Sequence, residues 1–153
     1  MASPEVVVAG GTIMIKEPTT NEVVQRLQEH GVNPTRQRID IAKVLFARPQ
    51  HLSADDVMRF AREGGVNISK ATVYNTLSLF SRKGLVREII VDPSRVFYDS
   101  NPTMHHHFYN IDTGELRDFD ADLLQLSNLP HLPPGTVADG VDVIIRIRNA
   151  SYQ

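Results

Sequence analysis

The spacing of apolar residues predicts four short helices in the first part of the chain. Between residues 20 and 84, apolar side chains recur every three or four positions, and each run stops near a glycine or a proline. Ser53 and Ser69 stand where two of these helices would begin, because a serine hydroxyl can accept hydrogen bonds from the amides of a first turn. In the fourth helix, over residues 69–83, the buried stripe consists of Val73, Leu77 and Phe80.

From residue 86 the hydrophobic period shortens to two residues, which is typical of strands. Residues 86–91 and 95–98 predict one hairpin, residues 106–111 and 115–119 predict a second, and a helix over 121–129 and a strand over 141–148 follow. Helices followed directly by a hairpin have the order of a winged helix-turn-helix domain. The predicted fold class is therefore α+β, with a flexible N-terminal arm over 1–20, a winged helix-turn-helix domain over 21–100 and a small α/β domain over 101–153.

The charge is divided unevenly along the chain, although the net charge is only −2. Residues 21–98 carry 12 Lys and Arg against 8 Asp and Glu, whereas residues 99–153 carry 3 against 8. The basic half is suited to a polyanion and the acidic half to cations.

The absence of cysteine excludes disulfides, thiolate zinc sites and iron–sulfur clusters, so any metal must be held by nitrogen and oxygen. The sequence pattern indicates neither a signal peptide nor an apolar run of the roughly 18 residues that a membrane helix needs. We therefore expect a cytoplasmic protein with no membrane partner.

The polar face of the fourth helix carries side chains that can read DNA. Asn can form two hydrogen bonds with an adenine edge, Tyr and Thr can pack on thymine methyls, and Lys and Arg can neutralise phosphates. An ordinary solvated helix face is the alternative interpretation. The residues outside the apolar stripe are Ser69, Lys70, Thr72, Tyr74, Asn75, Ser78 and Arg82.

Three consecutive histidines lie on the first strand of the second hairpin. Because side chains alternate along a strand, His105 and His107 project from one face and His106 from the other. Two imidazoles on one face form half of a divalent metal site, which needs further ligands from elsewhere in the chain. Asp99 lies six residues before His105, and Asp118 lies on the paired strand. A polar strand without a ligand is the alternative interpretation.

Two segments resemble the Fur (ferric uptake regulator) family of metal-dependent repressors. Ser69-Lys70-Ala71-Thr72-Val73-Tyr74-Asn75-Thr76-Leu77 resembles the ATVY recognition helix of that family, and Pro34-Thr35-Arg36-Gln37-Arg38 resembles a second family segment. The likeness continues through the wing and the histidines to about Asp120.

For DNA binding, the resemblance implies a homodimer on a two-fold double-stranded operator, and it leaves a higher oligomer on DNA open. Tyr74 and Asn75 would lie in the major groove. Asn33 stands where some members have a basic residue that probes the minor groove. The other DNA contacts that the resemblance implies are Arg36, Lys70, Thr72 and Arg82.

The same resemblance implies one regulatory metal site that joins the two domains. An ion held by both domains would favour one domain arrangement and so set the fit of the dimer to its operator. Fe²⁺, Mn²⁺ and Zn²⁺ all suit nitrogen and oxygen donors of this kind. The residues that fall on ligand positions of the peroxide-sensing branch are His51, Asp99, His105, His107 and Asp118.

In two features the chain resembles the iron response regulators, which are the cysteine-free branch of the family. Asn110 and Thr113 stand in the places of the first cysteine pair of a structural zinc site. We therefore expect no structural four-cysteine zinc and a dimerisation domain stabilised by packing alone. By this resemblance, haem or a second metal ion would be held by His106 or by its neighbours His105 and His107.

The sequence therefore predicts an iron- or haem-responsive transcription regulator, not an enzyme, that controls iron homeostasis genes in a bacterial cytoplasm. Three alternatives stay open. One is a peroxide-sensing repressor of the same family that uses Fe or Mn. The others are a non-haem iron enzyme, in which two histidines and a carboxylate leave room for oxygen at the metal, and a haem or metal buffer without a role on DNA.

Overall fold

Each of the four helices begins after a residue whose hydroxyl accepts a hydrogen bond from a first-turn amide. The computed structural model describes residues 6–9, 12–48, 50–101 and 103–151. Within them, the N-cap residues are Thr19, Thr35, Ser53 and Ser69. The helices are α1 (Thr20–Glu29), α2 (Arg36–Phe46), α3 (Ala54–Glu63) and α4 (Lys70–Arg82). Capping at Ser53 and Ser69 is thereby confirmed.

Eight strands form three small sheets in the described residues. They are β1 (Val6–Ala9), β2 (Thr12–Ile15), β3 (His51–Leu52), β4 (Arg87–Asp92), β5 (Arg95–Asp99), β6 (His105–Asn110), β7 (Leu116–Asp120) and β8 (Ile144–Ile147). The strand orders are β1-β2, β3-β5-β4 and β7-β6-β8. The β4–β5 hairpin follows α4 directly, as a wing does.

The chain divides into two compact units, residues 1–102 and residues 103–153, which we call the N-terminal and C-terminal units. The core of the N-terminal unit lies between the helices and the wing. Leu27 of α1, Ile41 of α2, Val57 of α3 and Leu77 and Phe80 of α4 are completely buried there. This core holds α4 with its polar face outward.

The C-terminal unit is a three-stranded sheet with β6 in the middle. β6 pairs antiparallel with β7 and parallel with β8. Among the described residues of this unit, the buried side chains are Tyr109 and the three consecutive histidines. The unit leaves large apolar side chains exposed, namely Met104, Ile111, Leu123, Leu126, Leu129, Leu132, Val137, Val141, Ile145 and Ile147. Packing within one chain therefore contributes little to its stability.

The helix predicted over residues 121–129 is wrong. Only a 3-10 turn, Ala121–Leu123, forms there, and Leu124 is already extended. The carboxylate of Asp120 accepts a hydrogen bond from the amide of Asp122, which favours a turn over a helix. Because Leu123 and Leu126 are exposed, no buried face repays the cost of forming a helix.

The first twenty residues also differ from the predicted flexible arm. β1 and β2 pair antiparallel, with Val6 opposite Ile15 and Ala9 opposite Thr12. Residues 1–5, 10 and 11 of the arm lie outside the described residues. β-Branched runs on both sides of a glycine pair are a hairpin signal, so the pattern for this element was present in the sequence.

None of the helices in the described ranges combines the length and the apolarity that crossing a bilayer requires.

Candidate metal centre and nucleic-acid interface

The short strand β3 places His51 opposite the buried carboxylate of Asp99. β3 pairs with β5 so that His51 is opposite Asp99. Nε2 of His51 lies 3.2 Å from Oδ2 of Asp99. The side chain of Asp99 is 1% exposed. β3 has only two residues and was not predicted, yet it creates this pair.

The carboxylate of Asp99 is removed from water, so other favourable interactions must replace its lost hydration. Its second carboxylate oxygen accepts a hydrogen bond of 2.8 Å from the amide of Asn101. Removing an ionised carboxylate from water costs several kcal/mol or more unless hydrogen bonds and a positive charge offset the loss of hydration. The His51–Asp99 pair is therefore a place where a cation would be stabilised.

The C-terminal unit carries a second cluster, on two paired strands. His107 of β6 is opposite Asp118 of β7, and His105 lies two residues before His107 on the same face. Oδ1 of Asp118 is 3.2 Å from Nε2 of His107 and 3.5 Å from Nε2 of His105. The two imidazole centroids are 4.7 Å apart. Three donor atoms thus converge on one small volume.

The ring orientation of His105 prepares it to bind a cation. Nδ1 of His105 lies 2.5 Å from the carbonyl oxygen of Thr103. Because a carbonyl oxygen only accepts, Nδ1 must carry the hydrogen, and in the neutral ring Nε2 then presents its lone pair toward Asp118. A lone pair and a carboxylate attract each other only through a shared cation, either a proton or a metal ion. This backbone contact, which orients a candidate metal ligand, was not predicted.

The distances between these donors fit metal coordination. At metal–donor distances of about 2.1 Å, neighbouring ligand atoms are roughly 3.0 Å apart in octahedral and 3.4 Å apart in tetrahedral geometry. The three His–Asp distances, between 3.2 and 3.5 Å, are close to this range. Imidazole nitrogen with carboxylate oxygen is a donor set for Zn²⁺, Mn²⁺ and Fe²⁺. The residues present therefore fit a divalent cation.

His106 occupies the other face of β6, as its position in the strand predicts. Its Nδ1 accepts a hydrogen bond of 3.3 Å from the amide of Val143, and its ring lies 5.7 Å from that of Phe119. His106 is buried. The structure brings His105 and His107 together and separates His106 from them.

The polar face of α4 is accessible. Lys70, Tyr74, Asn75, Ser78 and Arg82 are exposed, and Thr72 is half-buried. Nζ of Lys70 lies 5.8 Å from the centre of the Tyr74 ring, so the cation and the aromatic face lie side by side. This arrangement places a positive charge, which is able to bind a phosphate, beside an aromatic ring that is able to pack against a base.

The start of α2 borders the same face and forms a polar cleft with α4. Arg36 is the first residue of α2 and is exposed. The guanidinium of Arg38 donates a hydrogen bond of 3.0 Å to the carbonyl of Asn33 and so ties down the segment before the helix. The cleft is lined by Thr35, Arg36, Gln37, Arg38, Thr72, Asn75, Thr76 and Leu79. Arg36, Thr72 and Asn75 are thus brought together, whereas Arg82 lies in the last turn of α4, about 10 Å further along the helix axis than Asn75.

Two side chains in the wing have shifted pKa values. Burial raises the pKa of Tyr98, the residue before Asp99 on β5, so its phenol stays neutral. At the wing tip, the hydroxyl and then the amide of Ser94 donate hydrogen bonds to Asp92, and these bonds lower the pKa of that carboxyl. The carboxylate of Asp92 therefore stays ionised beside Arg95 at the wing tip.

Comparison with known proteins identifies relatives of this chain. The model of the "Ferric uptake regulator family" matches residues 29–129. The peroxide-responsive repressor PerR of Staphylococcus aureus is 32% identical over 103 residues, which cover 67% of this chain and 70% of the relative.

Among solved structures, the ferric uptake regulator of Pseudomonas aeruginosa with manganese aligns with a TM-score of 0.65 at 25% identity, covering 83% of this chain and 97% of that one. The Vibrio cholerae ferric uptake regulator aligns with a TM-score of 0.65 at 23% identity, covering 82% and 98%. These similarities confirm the predicted fold class.

Proposed function

Because this chain belongs to the ferric uptake regulator family, we propose that it is a cytoplasmic bacterial repressor that binds a two-fold DNA operator as a homodimer. The observation that carries the proposal is the pair of His–Asp clusters, one in each unit, in a protein whose α4 exposes Lys70, Tyr74 and Asn75 on its polar face. The signal would be a divalent metal ion, and the target genes those of iron homeostasis.

The residues that would hold the ion are those of both clusters. We propose that His51 and Asp99 from the N-terminal unit and His105, His107 and Asp118 from the C-terminal unit share one divalent ion. The ion would supply positive charge to a set of donors that includes two carboxylates. Donors from both units can bind one ion only in one arrangement of the units, and this differential affinity is what would change DNA binding.

The exposed apolar surface of the C-terminal unit supports a dimer. Leu126, Leu129, Ile145 and Ile147 are each about two-fifths exposed or more. Exposed apolar side chains in this number can mark a surface that a partner covers, and a two-fold copy of the same surface is the most frequent solution. Two copies would present two α4 helices to two operator half-sites.

DNA selection with the full-length protein tests the proposal. A random-sequence duplex library would be selected in chelator, with Mn²⁺, with Fe²⁺ under anaerobic conditions and with haemin. We expect a two-fold motif and an affinity that differs at least about tenfold between chelator and Mn²⁺, which corresponds to the 1–3 kcal/mol usual for allosteric coupling. Specific binding should weaken steeply as salt rises, because phosphate contacts release counterions. Equal affinities in all four conditions would contradict a metal- or haem-responsive regulator.

Haem is the second ligand proposed for the histidine cluster, in line with the resemblance to the iron response regulators. A porphyrin is far larger than the space beside a buried imidazole. Haem ligation at His106 therefore requires the segment that carries Val143 to move away from β6, which breaks the hydrogen bond between the Val143 amide and His106 Nδ1. An absorbance change on haemin addition that is lost in His106→Ala, together with a change in DNA affinity, would support haem as the signal.

Peroxide sensing is a second candidate, because the curated relative at 32% identity is a peroxide-responsive repressor. Fe²⁺ held by histidines can oxidise its own ligands when peroxide reacts with it. If this candidate holds, mass spectrometry after Fe²⁺ and peroxide will find oxygen added to His51 or His105, and Mn²⁺ in place of Fe²⁺ will prevent the addition. Unmodified histidines under both conditions would remove the candidate. The non-haem iron enzyme is less well supported than either regulator, because the family assignment points to DNA binding.

A further inference from the structure

The turn between β6 and β7 lies where the family resemblance implies a structural zinc site, and its donors do not fit zinc. Oδ1 of Asn110 accepts hydrogen bonds from the amides of Asp112 and Thr113, at 2.9 and 3.2 Å. The hydroxyl of Thr113 accepts from the amide of Glu115. The chain contains no cysteine. An amide and a hydroxyl that already serve the backbone are poor zinc ligands compared with thiolates.

The same turn binds the C-terminal segment instead. Nδ2 of Asn110 donates a hydrogen bond of 2.9 Å to Oδ1 of Asn149. The amide of Asn149 donates one of 2.8 Å to Oδ2 of Asp112, whose other oxygen is 3.5 Å from the guanidinium of Arg148. These hydrogen bonds join residues that are 37 to 39 positions apart in the chain, and together they form a closed ring of polar contacts.

These hydrogen bonds matter because the strand that they hold is short and lies at an edge. β8 has four residues, lies at the edge of the sheet and pairs parallel with β6. A parallel edge strand needs a long connection, and closing that loop costs conformational entropy. Next to the ring, the amide of Ile111 donates to the carbonyl of Ile147. The ring therefore lies where the sheet hydrogen bonds of β8 end.

We propose that Asn110, Asp112 and Asn149 form a polar clamp that fixes the C-terminal strand without a structural metal. The clamp does by hydrogen bonding what a bound ion would do by coordination: it joins the β6–β7 turn to a distant segment of chain. The C-terminal unit thus keeps β8 in register in metal-free protein. This inference does not depend on the proposed regulatory site.

Hydrogen exchange of the metal-free, full-length protein tests the clamp. Asp112→Ala removes the acceptor of the Asn149 amide and leaves the turn without its carboxylate. We expect amide exchange over residues 144–149 to become about tenfold faster, because a hydrogen bond to a charged group is lost. Asp112→Asn keeps an oxygen acceptor at the same place and should show a smaller effect. Exchange in α4 should be unchanged in both variants.

Two results would overturn the clamp. One is slow exchange over residues 144–149 in both Asp112→Ala and Asn149→Ala, equal to that of the unsubstituted metal-free protein. The other concerns the amides of β8 in His107→Ala. If they exchange fast without metal and slowly after Zn²⁺ is added, a second zinc site supports the unit. Asp139→Ala, at an exposed carboxylate of the same unit, is the matched control and should leave the exchange rates unchanged.

Discussion

Replacing His107 by alanine should lower the affinity of the protein for Mn²⁺ at least about 100-fold and abolish the effect of metal on DNA binding. The Nε2 atom of His107 is 3.2 Å from Asp118, and its side chain is 1% exposed. Water cannot easily replace a buried imidazole ligand in the same geometry, and even groups that only orient metal ligands are worth about 10- to 100-fold in affinity. Mn²⁺ binding can be measured directly by paramagnetic resonance of the free ion.

His131→Ala is the matched control, because His131 is exposed on the same unit. It should bind Mn²⁺ as the unsubstituted protein does. An unchanged Mn²⁺ affinity in His107→Ala would refute the metal site. His51→Ala separates the shared ion from a smaller site: if only the His107 variant loses Mn²⁺, the ion is held by the C-terminal unit alone and the two clusters act separately.

Replacing Tyr74 and Asn75 together by alanine should lower affinity for the selected operator about 100-fold and leave affinity for unrelated duplexes almost unchanged. Both residues are exposed on α4, and Asn75 also lines the cleft with α2. Each good base contact is worth about 1–3 kcal/mol of discrimination, so two contacts together account for an effect of this size. Fluorescence anisotropy with operator and scrambled duplexes measures both affinities.

Lys70→Ala provides the contrast, because a phosphate contact carries no sequence information. It should weaken binding to both duplexes alike and reduce the slope of affinity against salt by about one ion. If the Tyr74 and Asn75 double variant still distinguishes operator from scrambled DNA, α4 is not the recognition helix.

Local patterns in the sequence were sufficient for the helical part of the fold. Ser53 and Ser69 indicated where α3 and α4 begin, and the stripe that contains Phe80 indicated which face of α4 is buried. Both signals act over at most four residues, so they do not require knowledge of the rest of the molecule. The same holds for His105 and His107, which share a face because strand side chains alternate.

Where the local pattern competed with the tertiary environment, the prediction was wrong. The leucines from residue 123 to 129 have helical spacing, yet only a 3-10 turn forms, because their apolar face has no core to contact among the residues that the structure describes. The expectation that packing alone stabilises the dimerisation domain stays a prediction, because it concerns contacts with a second copy of the chain. The described C-terminal unit buries Tyr109 and three histidines, and hydrogen bonds such as that between Asn110 and Asn149 hold its end.

The sequence by itself determined the order of helices and wing, the exposed face of α4 and the pairing of two histidines on one strand face. Only the tertiary structure decided that His51 lies opposite Asp99, that Thr103 orients His105 and that Asn149 binds Asp112. The physical reason is the separation along the chain over which each kind of signal acts. Periodicity and capping report on neighbours in the chain, whereas strand pairing between distant segments depends on which edges meet after the chain has folded.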